Sequence, residues 1–307
     1  MKQLRLLLLF LSFATLLSPA TLFAQVEEEK EQEEEEDLMA MLEDLEEEPV
    51  NYAFATFKGV RLINSHSIEM PGEGVLQMMI SHRFGRVNGG PYEFFGLDQA
   101  NMRLGFEYGI KPWLCVGIGR SNVFKTYDSF LKVRLFRQKS GAESFPFTIV
   151  AYSNMAANTL RAADPEAENR LVHRFAYTHQ LMIARKFGER LSLQLMPTMV
   201  HRNLVGTPVE QNDVFAIGAG GRVKVSKSVT INFEYFYLLP GHTADNFENS
   251  LSVGVDIETG GHVFQLMFTN SMGMSENLFI PQTTGDWLAG DIHLGFNLGR
   301  VFTVKRK

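Results

Sequence analysis

Thirteen charged residues fall at alternate positions among apolar neighbours: Arg83, Arg103, Glu107, Asp128, Lys132, Arg134 and Arg174, then Arg202, Arg222, Glu234, Asp256, Glu258 and Asp291. Both signs are represented. If that parity faces one enclosed space, unpaired charges there are costly, so most must pair across neighbouring segments and the remainder can line a path for a small solute. The histidines do not add a metal site. His82, His173 and His201 share the apolar parity while His293 has the other, and a metal needs ligands converging from one side. Ser250, His242 and Asp245 are close in sequence but straddle a loop and a strand, with no nucleophile elbow. No catalytic, metal or cofactor residue is therefore assigned, and a lipid-modifying enzyme remains only as the enzymatic alternative. The run Gly218-Ala219-Gly220-Gly221 sits inside a period-two segment with no helix after it, which points to close backbone approach or strand bending rather than phosphate binding. Basic residues are mixed with acidic ones, which excludes nucleic acid as a partner.

The segments that carry these residues alternate with period two, as strands do. In 171–201, Leu171, Phe175, Tyr177, Leu181 and Ile183 oppose Arg174, Thr178 and Gln180. After the link Lys186-Phe187-Gly188-Glu189-Arg190, Leu191, Leu193, Leu195 and Met199 oppose Ser192, Gln194, Thr198 and Arg202. Each arm has the roughly 9–11 residues of a tilted transmembrane strand. The same pattern recurs from Val75 to the C-terminus. It predicts a closed antiparallel transmembrane β-barrel of about 12 strands, range 10 to 14. Short links (110–112, 186–190, 226–227, 259–260) alternate with long ones (86–98, 157–168, 203–211, 240–246, 271–286), as an outer-membrane barrel requires. Two links blur the rule: 137–144 is long for a turn and 120–126 short for a loop. A β-sandwich also alternates, but this many ten-residue strands would enclose more apolar surface than two sheets share.

Ahead of the barrel, Lys2 and Arg5 precede an apolar run from Leu6 to Phe23, the pattern of a secretory signal peptide over 1–24 cleaved after Ala24. Residues 27–48 then hold fourteen Asp or Glu and one Lys, whereas 49–307 carry a net charge of +5. Such a block of like charge stays solvated. Leu38, Met41, Leu42 and Leu45 share one helical face, so the arm 25–49 reads as a disordered spacer, a docking peptide for a periplasmic partner through 26–48, or a plug for a basic lumen. Residues 50–72 alternate poorly and form a lead-in to the barrel domain 73–307. The lone Cys115 excludes an intrachain disulfide.

Several stretches carry a family resemblance: Thr56-Phe57-Lys58-Gly59-Val60-Arg61-Leu62-Ile63, Ser81-His82-Arg83-Phe84-Gly85-Arg86, Arg185-Lys186-Phe187-Gly188-Glu189-Arg190-Leu191-Ser192, Asn212 to Gly221 and Asp256 to His262. Over about residues 53–304 the chain resembles a family of Bacteroidota outer-membrane β-barrel proteins known only as a domain of unknown function. The resemblance implies a barrel and an outer-membrane address, with no reaction attached. The expected partners are outer-membrane lipid and the barrel assembly machinery, although Phe302 is followed by five further residues instead of ending the chain. The expected function is a narrow channel or transporter for a small solute. The alternative is a non-conducting docking barrel whose acidic arm holds a periplasmic partner.

Overall fold

The computed structural model describes residues 49–161, 171–241, 243, 247–259 and 262–305. The signal segment and the acidic arm lie outside the described residues. Twelve strands form the wall: β1 Val75–Arg86, β2 Ala100–Lys111, β3 Leu114–Ser121, β4 Tyr127–Phe136, β5 Thr148–Ala157, β6 Phe175–Lys186, β7 Leu191–Arg202, β8 Asp213–Lys224, β9 Val229–Leu238, β10 Ser250–Thr259, β11 His262–Thr269 and β12 His293–Thr303. Each pairs antiparallel with its sequence neighbour, and β12 pairs with β1 to close the barrel. Closure leaves no free edge.

The apolar parity points outward and stays open: Ile118 is 62 % exposed and Phe215 51 %, and Met102, Leu131, Ile231 and Phe268 are exposed as well. Among the described residues no second sheet covers them, and the strands close on themselves, which excludes the sandwich. A continuous apolar outer band around a closed barrel is what lipid solvates.

The opposite parity is buried, and two segments outside the wall bury it. Residues 57–68 enter from the short-turn end as a narrow hairpin. Its arms are joined at Arg61 and His66, with Leu62 N–H donating to the Ser65 carbonyl at 2.9 Å and Ser67 N–H to the Val60 carbonyl at 2.9 Å. From the long-loop end, the connection between β11 and β12 folds inward and forms the single helical turn α1, Glu276–Phe279, buried throughout. The lead-in residues are therefore the centre of the lumen.

The two irregular links also have physical causes. Lys139–Ser140, inside the long link after β4, pairs with Asn51–Tyr52, so the extra residues form a small two-stranded sheet that guides the lead-in toward the opening. The short link after β3 is a tight turn in which Phe124 and Lys125 adopt positive φ (51° and 48°).

Candidate functional site: a plugged lumen

The hairpin tip has few backbone partners of its own, and the barrel wall supplies them. Glu234 of β9 accepts hydrogen bonds from the backbone N–H groups of Ile63 (3.3 Å), Asn64 (3.3 Å) and Ser65 (3.0 Å), and from the Ser65 hydroxyl (2.6 Å). Consecutive N–H groups folded around one carboxylate make an anion nest. Gln265 and Asn297 donate to the Leu62 and Ile63 carbonyls at 2.7 and 2.9 Å. On the returning arm, Gln194 donates to the His66 carbonyl (2.8 Å) and accepts from Ile68 N–H (3.0 Å). Asn64 Nδ2 donates to Ser252 Oγ (2.8 Å), and Arg83 Nη2 donates to Asn64 Oδ1 (2.7 Å). The segment is thus satisfied as a strand in a sheet would be, but by side chains.

Beside the tip lies a buried charge cluster. Arg103 reaches over Gly119 to form a two-point pair with Asp128, with Nε to Oδ1 at 2.9 Å; a Cβ at Gly119 would lie 2.2 Å from the guanidinium. Lys132 lies 3.6 Å from Glu107 and donates to the Glu69 carbonyl at 3.1 Å. Arg61 of the hairpin meets Glu276 of α1 at 3.2 Å, and the Tyr152 hydroxyl donates to the same carboxylate at 2.9 Å. Arg61, Arg83, Arg103 and Lys132 balance Glu107, Asp128, Glu234 and Glu276, so the set is neutral without His66. That imidazole is fully buried between Glu107 (3.5 Å) and Glu276 (3.9 Å), packed on the Phe130 and Tyr152 rings.

The structure divides the charged residues of the sequence pattern by depth. Arg83, Arg103, Glu107, Asp128, Lys132, Glu234 and Asp256 are buried in the lumen, where Asp256 accepts from Gln265 at 2.6 Å. At the short-turn end, Arg134 bonds the Pro112 carbonyl, Arg222 the Ala55 carbonyl and Glu258 pairs with Lys58. At the long-loop end, Arg202 pairs with Glu210 and Arg174 bonds loop carbonyls. Asp291 lies in the loop before β12, where a hydrogen bond from Asn88 and the nearby Arg86 hold its carboxyl below the usual carboxylate range. His82 stacks on Phe296, and His293 bonds the Phe84 carbonyl. Ser250 is buried on β10, while His242 and Asp245 lie outside the described residues.

The period-two pattern does not mark the hairpin or α1 as lumen residues, yet the sequence carries a signal for them. Along β5 to β9 the inward parity is apolar as well: Val150, Met182, Ala184, Met196, Val200, Val214, Ala216 and Phe236 form one buried cluster with Phe57, Leu62, Ile68, Phe279 and Ile280. An apolar inward face demands something to pack on it. The glycine run has the same explanation, since a Cβ at Gly220 would lie 2.3 Å from Leu62 and one at Gly218 2.4 Å from Phe236.

A profile of the family described as "Membrane bound beta barrel domain (DUF5777)" matches residues 57–302. The chain belongs to this family. The match begins at Phe57, so it takes in the hairpin as well as the wall. No curated protein matches the chain. Among solved structures, the NanC porin is similar at 7 % identity, with 75 % of this chain and 100 % of that one covered and a TM-score of 0.47. The KdgM porin follows at 9 % identity, 75 % and 99 % coverage and 0.44. An outer membrane channel from Pseudomonas putida F1 gives 15 %, 76 % and 97 %, and 0.45. Likenesses of this degree say nothing of what crosses this barrel.

Proposed function

We propose that the protein is an outer-membrane channel for a small polar solute, closed at rest by its own N-terminal hairpin and by the in-folded loop that carries α1. In this reading the chain is exported by a cleaved signal peptide, the short turns face the periplasm, and buried wall residues such as Arg83, Arg103, Asp128 and Asp256 line the opened path. The observation that carries the proposal is that the wall is complete without its plug, because β12 pairs directly with β1 and residues 53–72 supply none of the twelve strands. A lumen that seats two antiparallel arms side by side is about 10 Å across once emptied. Its polar half also favours a wet state, since a permanently shut lumen is filled at lower cost by apolar side chains than by buried ion pairs.

The test is bilayer conductance of the full-length barrel beside a variant lacking residues 53–72, with folding checked by circular dichroism. The parent is expected to stay mostly silent and the deletion to conduct. A folded deletion variant as silent as the parent would overturn the reading. Should the deletion fail to fold, E234A combined with E276A loosens the hairpin within an intact chain and serves the same comparison.

The close fit of the hairpin backbone to wall side chains favours a second reading, a barrel that never opens and anchors the acidic arm for a periplasmic partner. Pull-down with residues 26–48 deleted separates the two: unchanged partners remove the second reading, whereas loss of a partner with no conductance in any variant establishes it.

A further inference from the structure

The long-loop end of the barrel holds a cavity of about 400 Å³ that neither the hairpin nor the charge cluster uses. Its rim carries Arg161, Arg174 and Arg202, its sides Phe124 and Phe175, and its floor Leu278 and Asn277 of α1. No carboxylate lines it among the described residues. Arg202 is already neutralised by Glu210 at 3.1 Å. Arg174 has no carboxylate partner among the described residues: its guanidinium donates to the Leu160 and Asn158 carbonyls at 2.7 and 3.3 Å, bonds that orient the group without cancelling its charge. Arg161 is exposed and has no carboxylate within ion-pair distance among the described residues. Among the described residues, then, two cations without a carboxylate partner share a concave site with two aromatic rings.

A cationic ligand would be repelled by this rim, and a purely apolar one would strip water from the guanidinium groups with nothing in return. An anion alone would leave the aromatic faces wet. On the same pair of strands, two residues beyond the Ala156–Ala176 pair, Asn154 and its cross-strand partner Thr178 are buried, with both amide atoms of Asn154 and the Thr178 hydroxyl unpartnered among the described residues. We infer that this mouth binds a small organic anion with a planar apolar body, of which an aromatic carboxylate is the simplest case. Guanidinium groups would take the carboxylate through charge-assisted hydrogen bonds, and the two phenylalanines would cover the ring. The site holds this chemistry whether or not the barrel conducts.

The experiment is calorimetric titration of the full-length, detergent-solubilised barrel with benzoate, compared with benzylamine and benzyl alcohol. Saturable benzoate binding is expected, weakened about tenfold or more in R161Q/R174Q and reduced by added salt, with both comparators at least about tenfold weaker. Absence of saturable benzoate binding, equal binding of the amine or the alcohol, or unchanged affinity in a folded double variant would overturn the assignment. The single R161Q variant, at an exposed side chain, supplies the same readout if the double variant does not fold. Residues 162–170 lie outside the described residues and carry Asp164, Glu166 and Glu168. In D164N/E166Q/E168Q benzoate is expected to bind as tightly or more tightly, and lost binding there would place the ligand on that segment and overturn the inference.

Discussion

The two sides of the lumen hold the same hairpin by different physics. Along β5 to β8 the wall presents Val150, Met182, Met196, Val200 and Val214, and the hairpin answers with Phe57, Leu62 and Ile68 as in a protein core. Along β10 to β12 and β1 to β4 it presents Asp256, Gln265, Asn297, Arg83, Arg103, Glu107 and Lys132, all buried and joined in polar contacts. The apolar side supplies free energy that depends little on geometry. Polar contacts add little net energy but penalise any shift that leaves one partner bare. Their difference teaches a division of labour: the apolar side mainly holds the hairpin in, while the polar side, with Glu234 of β9 and Gln194 of β7, fixes its register.

That contrast can be broken by measurement. E234A should be the most damaging single change, because it orphans three buried N–H groups and the Ser65 hydroxyl at once. Two of these four bonds are long at 3.3 Å, so at roughly 1–1.5 kcal/mol per orphaned group, the lower part of the usual range, a loss of about 4–6 kcal/mol in denaturant unfolding is expected. R61Q removes one member of the buried pair with Glu276 and should cost about 3–5 kcal/mol, whereas R61Q/E276Q should cost less than the sum of the singles by about 1 kcal/mol or more. Additive values would mean that the two plugging segments are not coupled. On the apolar side, F279A should cost about 3–5 kcal/mol in denaturant unfolding through the cavity it leaves. G220A forces a methyl against Leu62 and the Phe233 carbonyl and should cost about 1–3 kcal/mol, a penalty that L62A absorbs only in part in the double variant because the carbonyl stays in place. Smallest of all is E143Q in the exposed link after β4. Lys139 holds the Glu143 carboxyl below its usual range, so whatever the pair adds is present above the ordinary glutamate pKa and fades as pH falls through the lowered one. Melting of E143Q and parent is expected to coincide at neutral pH, since exposed pairs contribute almost nothing.

The wall was legible in the sequence because strand parity is local. Each of Leu76, Met78 and Ile80 reports its own face from its neighbours, and twelve such segments with alternating links define a closed barrel. Residues 57–68 were not legible by that route. Their partners, Glu234, Gln265 and Asn297, stand more than 160 residues away, and no spacing rule connects Asn64 to Arg83 or Ser65 to Glu234. The charged parity showed which side chains turn inward but not their depth, so Glu258 and Asp291, at opposite rims, read like the buried Asp256. What the pattern did contain was its own exception: Met182, Met196, Ala216 and Gly220 occupy inward positions where a water-filled lumen has no use for them.

The hairpin enters and leaves through one opening. Ala53 is tied to Gln138 at the short-turn end, and Gly74 is tied there to Gly109, so both strands of the finger share the same doorway. The in-folded loop likewise departs from β11 and returns to β12 at the opposite mouth. Neither is a thread drawn through the ring. Each can therefore retreat the way it came without unfastening a single strand of the staves, and the knot-free arrangement lets the vessel be uncorked while its hoop stays whole.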